Sequence, residues 1–419
     1  MNLAEDIQPS PLVHGIIRRY YAVWMTYALA GGFLFGVYPI FLHARGLNQF
    51  EINSVLAMYF VVLFLTDVPT GAFADALGRR RSFVLGAALR VCAFLLYFTA
   101  HHYWVFLIAE SIDGIGTTFG NGAIDAWGVD ALDDAGYEGL KDGLFSRISQ
   151  LTTVGFMISS LGGAYVADID IAWPWLCGAA GYVIAAVIGV LLMTGEKTRA
   201  SGVDLAGLPQ QIVRRVVEGV SAGFSNRTVL FLSAAGAIQF AAWAPYWLEW
   251  PILFNQSYGV GVWIIGWIYC ALSIARMLGA EVVSRMTADE TSRAGRVSAL
   301  IGLAGILLAS AGMFQARPSV ALMFLFGMNI CTGAVVPMLQ SWFNEQIESS
   351  QRATMLSFSS TLGTLGGSIG LFINGFIADR AGLATAWQFA GALTLAAIPC
   401  YLAIRPRLAR IEMAEPVAK

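Results

Sequence analysis

Charge is what this chain has least of. Only 12% of its 419 residues are Asp, Glu, Lys or Arg, against 57% hydrophobic, and the mean hydropathy is +0.66. Soluble domains carry about a quarter charged residues, so a water-solvated globule is excluded. Basic blocks are missing too, and with a net charge of −2 nothing offers nucleic acid an electrostatic footprint. Cysteine is scarce: Cys92, Cys177, Cys270, Cys331 and Cys400 fall singly inside apolar runs without CxxC spacing, which fits small packing residues rather than metal ligands or disulfides. The histidines (His14, His43, His101, His102) are isolated or in a short loop, and no HExxH, GxSxG or GxxxxGK[ST] pattern occurs. No enzyme activity, cofactor or metal site is therefore expected.

What is present is a series of apolar runs of ~20 residues or more, the length that crosses a bilayer as a helix. A membrane barrel would alternate with period two, and these runs do not. Gly, Pro and charged residues divide them into twelve expected spans near 18–43, 51–77, 82–100, 104–133, 142–168, 174–195, 228–255, 262–286, 295–315, 319–346, 352–379 and 386–404. The first run follows Arg18 and Arg19 and is too long for a cleaved signal, so it reads as a retained helix.

Placing the amino terminus in the cytoplasm sets nearly all lysines and arginines on the inner side. Only Arg45, Arg317 and Arg380 fall outside, while Arg90 and Arg276 lie within spans. The positive-inside bias thus predicts an even number of spans, a multi-pass protein of the cell (inner) membrane, and both termini cytoplasmic.

The longest connection divides the spans six and six. The expected organisation is an all-α integral membrane fold: a six-helix bundle over 1–195, a linker over 196–227, and a second six-helix bundle over 228–419. Ile212, Val216, Val220 and Phe224 share one helical face of the linker, as in an amphipathic helix on the inner surface, although a disordered tether fits the composition as well. The halves also resemble each other. Gly163-Ala-Tyr-Val-Ala-Asp168 in the fifth span matches Asn374-Gly-Phe-Ile-Ala-Asp379 in the eleventh, with Trp175 near Trp387 at a similar offset, the pattern of a parallel duplication.

The hairpin between spans two and three reads Gly71-Ala-Phe-Ala-Asp75-Ala-Leu-Gly78-Arg79-Arg80-Arg81. It resembles the loop motif of the major facilitator superfamily, G-x-x-x-D-x-x-G-R-R, at the place that family puts it. The resemblance implies a rocker-switch transporter, with substrate between the halves and a cytoplasmic latch built on Asp67, Gly71, Asp75, Gly78, Arg79 and Arg80. Arg90, Asp125 and Asp130 are grouped with that latch. Arg90 is expected to pair with Asp67, with Asp125 as the competing partner, and Asp130 faces the arginines of the loop. Within that family the chain resembles the drug/proton antiporter-like members, with two departures that count against antiport by analogy. Their R-x-x-x-G of span four is replaced by Glu110-Ser-Ile-Asp113-Gly114, and Gly155 to Gly163 lacks the proline of their span-five motif.

Ionisable groups inside a membrane are costly and mark function. At about 100° per residue, Glu110, Asp113, Thr117, Asn121 and Asp125 form one polar stripe. Glu110 and Asp113, one turn apart, are the expected proton- or cation-coupling pair, because two neighbouring carboxylates in a partly dry site resist ionising together; structural pairing with another helix is the alternative. The expected substrate cavity takes Trp24 and Tyr27 from span one, Asn121 from span four, Gln239, Trp243, Tyr246 and Glu249 from span seven, Arg276 from span eight, and Asn329 and Gln340 from span ten. Its aromatics suit flat or cationic organic molecules, whereas Arg276 favours anionic or zwitterionic ones. The sequence thus predicts a secondary active transporter, a proton-coupled exporter of amphipathic organic molecules or drugs, with an importer or facilitator of a small polar or anionic metabolite as the alternative. Its expected partners are a small-molecule substrate, protons or another coupling ion, and membrane lipids, with the chain acting as a monomer.

Overall fold

Side-chain caps at Ser10, Asn48 and Asn226 set three of the helix starts among the described residues. The computed structural model describes residues 10–137, 139, 142–195, 221, 223–224, 226–259, 261–284, 290–347 and 352–404, and among these every regular element is a helix. Helix α1 (Pro11–Gly32) opens with Ser10 accepting from the Val13 amide and Pro11 in the first turn, where its missing N–H costs nothing. After the short α2 (Val37–Ala44), α3 (Gln49–Leu77) begins with a reciprocal capping box between Asn48 and Glu51. Then follow α4 (Arg79–Thr99), α5 (Tyr103–Asp134), α6 (Asp142–Ile169) and α7 (Trp173–Leu192). Asn226 caps α8 (Arg227–Tyr258) by accepting from Thr228 and Val229. The chain continues through α9 (Trp263–Ser284), α10 (Glu290–Met313), α11 (Pro318–Glu345), α12 (Arg352–Leu395) and α13 (Ile398–Leu402).

Two breaks position the site. The first expected span is not one helix: α1 stops at Gly32 and the chain resumes as α2 beyond Gly36, whose φ of +84° is left-handed. This break frees backbone carbonyls inside the membrane, which must find donors. The Phe35 carbonyl accepts from Ser160 Oγ of α6 at 2.7 Å, and a side chain at Gly163 would collide with the Phe33 carbonyl. The Gly/Ser stretch of the fifth span is therefore what seals the broken first span. The second break is at Gly382 (φ +83°) within α12. Asn374 Nδ2 donates to the Ala386 carbonyl at 3.1 Å across it, so the chain doubles back there.

Among the described residues, nine helical stretches are long and apolar enough to cross a membrane. The last, Met355–Leu402, contains the reversal at Gly382. Helices α5 and α6 are as long as the others but are not among the nine: α5 carries Glu110, Asp113, Asp125 and Asp130, and α6 is rich in Gly, Ser and Thr. The hairpin of the loop motif is tighter than expected. Gly78 alone, at φ +102°, separates α3 from α4, and Arg79 to Arg81 form the first turn of α4.

Helices α1 to α7 pack mainly on one another, as do α8 to α13, and the two sets meet through α3 against α12, α6 against α9, and α2 and α3 against α8. Contacts joining them include Phe50 on Phe372, Asn53 with Glu249, Gln256 with His43, and Asp168 accepting from the Val262 amide at 2.8 Å. All of these lie at the end away from the Gly78 hairpin. The linker expectation falls largely outside the described residues; at its described end Phe224 packs on Phe358.

Candidate functional site

Helix α4 can approach α5 closely because glycines face each other. A β-carbon on Gly86 would sit 2.6 Å from the Gly116 carbonyl, and one on Gly116 2.7 Å from Arg90 Cγ. That contact sets Arg90 opposite Asp113. Arg90 Nε reaches Asp113 Oδ1 at 2.8 Å and Nη2 reaches Oδ2 at 3.0 Å, a bidentate pair whose side chains are 13% and 10% exposed. Nη1 also donates to Tyr27 Oη at 3.2 Å, and the guanidinium carbon lies 4.4 Å from the centre of the Tyr182 ring. A charge buried in this way is kept because it is paired, hydrogen-bonded and stacked. The expected Arg90–Asp67 pair is not formed. Asp67 is exposed on α3, and α4 turns the Arg90 side chain towards α5. Asp125 does not take Arg90 either; it accepts from Tyr20 Oη at 2.6 Å and Trp24 Nε1 at 2.8 Å.

One turn before Asp113, Glu110 is 5% exposed and accepts a hydrogen bond from Tyr97 Oη. Tyr97 lies parallel to Trp175 with ring centres 4.0 Å apart, and its hydroxyl is 3.3 Å from that of Tyr38. Glu110 and Asp113 are thus unequal: Asp113 holds a guanidinium, whereas Glu110 meets hydroxyls. Glu110, Asp113 and Arg90 all border a cavity of about 230 Å³. The broken segment of the first span (Leu34, Phe35, Gly36) and Tyr38, Tyr59, Tyr97 and Trp175 form the rest of its first-half wall, and Trp247 and Leu248 close it from α8.

The residues expected to line the cavity do not border this one. Tyr27 stands behind Arg90, and Trp24 is engaged with Asp125. Gln239 Nε2 donates to Tyr401 Oη at 2.7 Å, and Asn329 Nδ2 donates to Tyr246 Oη at 3.2 Å, so these polar groups tie helices together. Glu249 is fully buried, accepting from Trp387 Nε1 at 2.7 Å and Asn53 Nδ2 at 3.4 Å where the two halves meet. The Trp243 ring nitrogen is buried without a partner among the described residues, and Asn121 and Gln340 are exposed. Arg276 stacks on Trp247 at 4.7 Å from the ring centre, which brings it to the edge of the same wall. In the hairpin, Asp75 pairs with Arg79 at 2.6 Å, and Arg79 Nε lies 3.7 Å from Asp130, which links the loop to α5. Gly71 lies on α3 with open space about it, and Arg80 is exposed.

The sequence profile of the Major Facilitator Superfamily matches residues 21–370. The chain belongs to the major facilitator superfamily. It is accordingly a multi-pass membrane transporter and not an enzyme. This facilitator is 23% identical over 373 residues to the multidrug efflux pump Tap of Mycolicibacterium fortuitum, covering 86% of this chain and 88% of that one. It is also 23% identical over 316 residues to the multidrug resistance protein MdtH of Aeromonas salmonicida, covering 74% of each. A shorter match, 23% over 164 residues, covers 39% of this chain and 40% of multidrug resistance protein 2 of Bacillus subtilis. Among solved structures the facilitator is similar to the nucleoside transporter NupG, with a TM-score of 0.73, 12% identity and coverage of 93% and 99%. It is also similar to the human organic anion transporter MFSD10, with a TM-score of 0.63, 15% identity and coverage of 94% and 100%. These structural likenesses are likenesses of fold.

Sequence reasoning missed Tyr97, Tyr182 and Trp175 as site residues. A tyrosine in an apolar helix carries no charge signal, and only the position of Glu110 and Arg90 across the bundle gives these rings a role.

Proposed function

We propose that this facilitator is a secondary active transporter working by alternating access, and that it couples proton movement to the export of amphipathic organic molecules. The observation that carries the reading is Glu110: a buried carboxyl at the cavity wall, held by tyrosine hydroxyls beside an ion pair that already neutralises Asp113. Such a group can take a proton from one side and give it up on the other without exposing an unpaired charge to lipid. Phe35, Tyr38, Tyr59, Trp175 and Trp247 give the cavity the large flat surfaces that amphipathic molecules need.

In this reading residues 1–195 and 228–419 are two six-helix bundles that rock about the cavity, with 196–227 as the linker. Twelve spans result when α5, α6 and both sides of Gly382 are counted with the other stretches, and both termini then lie in the cytoplasm of an inner-membrane protein. The contacts between halves at the end away from the hairpin support a state closed outside and open inside, in which the Asp75–Arg79 hairpin is a disengaged latch. The protein acts as a monomer.

The test is flux in proteoliposomes with an imposed pH gradient over a panel of organic cations, zwitterions and anions. Flux of amphipathic substrates that follows the gradient and collapses with a protonophore is the expected result. Flux of none of the panel under any gradient would overturn the reading.

A further inference from the structure

Among the described residues, Arg276 is an intramembrane charge that the architecture leaves without an acid. It sits near the middle of α9, and no carboxylate pairs with it among the described residues. Its helix face is not the lipid face. Ile265, Ile268, Leu272 and Ala275 are buried and share its side of α9, whereas Ile274 and Leu278, about 200° away on either side, are 47% and 49% exposed. Arg276 is nevertheless exposed, and on the same side of α9 Tyr269 packs on Phe35 and Gly266 meets Leu161 and Ala164 of α6, so this side turns toward the first half. Its backbone is fixed there, because a β-carbon on Gly333 of α11 would collide with the Arg276 carbonyl. Its guanidinium is fixed by the indole of Trp247, 4.7 Å away, and the phenols nearest to it are Tyr246 and Tyr269. Trp247 in turn forms the second-half wall of the cavity that Glu110 borders from the first half.

We propose that Arg276 and Trp247 form an anion subsite, and that the transported molecule is an amphipathic zwitterion. Its anionic group is received by Arg276, its flat body lies against Trp247 and Phe35, and its cationic end competes with the coupling proton at Glu110. This rests on the export reading above and names the substrate class for that site. Three features carry it. A guanidinium with five donors and no acid offers the geometry that carboxylates and phosphates accept in pairs. The first-half cation, Arg90, is taken by Asp113, so it does not duplicate the subsite. The groups facing Glu110 are Asp113, Arg90, Tyr97 and Tyr38, of which Asp113 and Arg90 satisfy each other, leaving Glu110 to receive a cation or a proton.

A matched pair of dyes tests this, a carboxy-rhodamine zwitterion and its ethyl ester, which differ only in the free carboxylate. Binding to the purified full-length protein is read by fluorescence polarisation. The wild-type protein is expected to hold the zwitterion about tenfold more tightly than the ester. Arg276→Gln is expected to erase that difference by weakening the zwitterion alone, and Arg276→Lys to keep only part of it, because an ammonium retains the charge but neither the paired donors nor the stack on Trp247. Preference of the wild type for the ester, or equal weakening of both dyes by Arg276→Gln, would overturn the proposal; the first criterion needs no variant to fold. Proteoliposomes that move the ester but not the zwitterion overturn this subsite and leave the export reading standing, whereas flux of no dye in any gradient removes both.

Discussion

Arg90 grips Asp113 through two parallel hydrogen bonds, at 2.8 and 3.0 Å, in the middle of the first-half bundle. Removing one partner of a buried pair leaves the other charge uncompensated, at a cost of roughly 3–5 kcal/mol, while removing both is far milder. Arg90→Ala should therefore lower the unfolding midpoint in detergent sharply, and Arg90→Ala combined with Asp113→Ala should recover most of the loss. A double variant no more stable than the single one would show that the pair is not what holds α4 to α5.

That pair also marks how far the sequence could be read. Span positions are legible in the apolar runs that Gly, Pro and charge interrupt, but their ends are not: the Ser10 cap starts α1 at Pro11 rather than near residue 18. The loop motif was legible because its residues are contiguous. The partner of Arg90 was not: depth counted along the chain brought Asp67 level with it, but the choice is made by which helix the glycines at 86 and 116 admit. The break at 33–36 was hidden for another reason. Gly31-Gly-Phe-Leu-Phe-Gly36 is apolar throughout, so hydropathy runs across it while the backbone leaves the helix and exposes carbonyls that Ser160 must meet.

The hairpin separates stability from function. A β-carbon on Gly78, at φ +102° and ψ 147°, is strained by about 1–3 kcal/mol, so Gly78→Ala should lower the unfolding midpoint. Asp75 is 57% exposed in its pair with Arg79, and such surface pairs are worth about 1 kcal/mol or less. Asp75→Asn should leave the midpoint nearly unchanged while reducing transport several-fold, if the hairpin latches the alternate state. Equal losses of stability and flux would make it a structural turn only.

At the opposite end, Gly375 lets α12 meet α3: a β-carbon there would sit 2.8 Å from Asn53 Cβ, beside the Asn53–Glu249 contact. Gly375→Val should wedge this end open. In a background free of the native cysteines, Leu248→Cys on the cavity wall should then react several-fold faster with a membrane-impermeant maleimide added from outside. Unchanged labelling would place the closure elsewhere.

The central claim is that Glu110 carries the coupling proton. It is tested most directly by proton-gradient-driven flux through Glu110→Gln in proteoliposomes, set beside downhill substrate exchange in the same preparation. Glutamine fits the space and still accepts from Tyr97 through its amide oxygen, but it cannot release a proton. The account predicts that gradient-driven accumulation is abolished while downhill exchange persists. Accumulation that still follows the pH gradient in Glu110→Gln would contradict it.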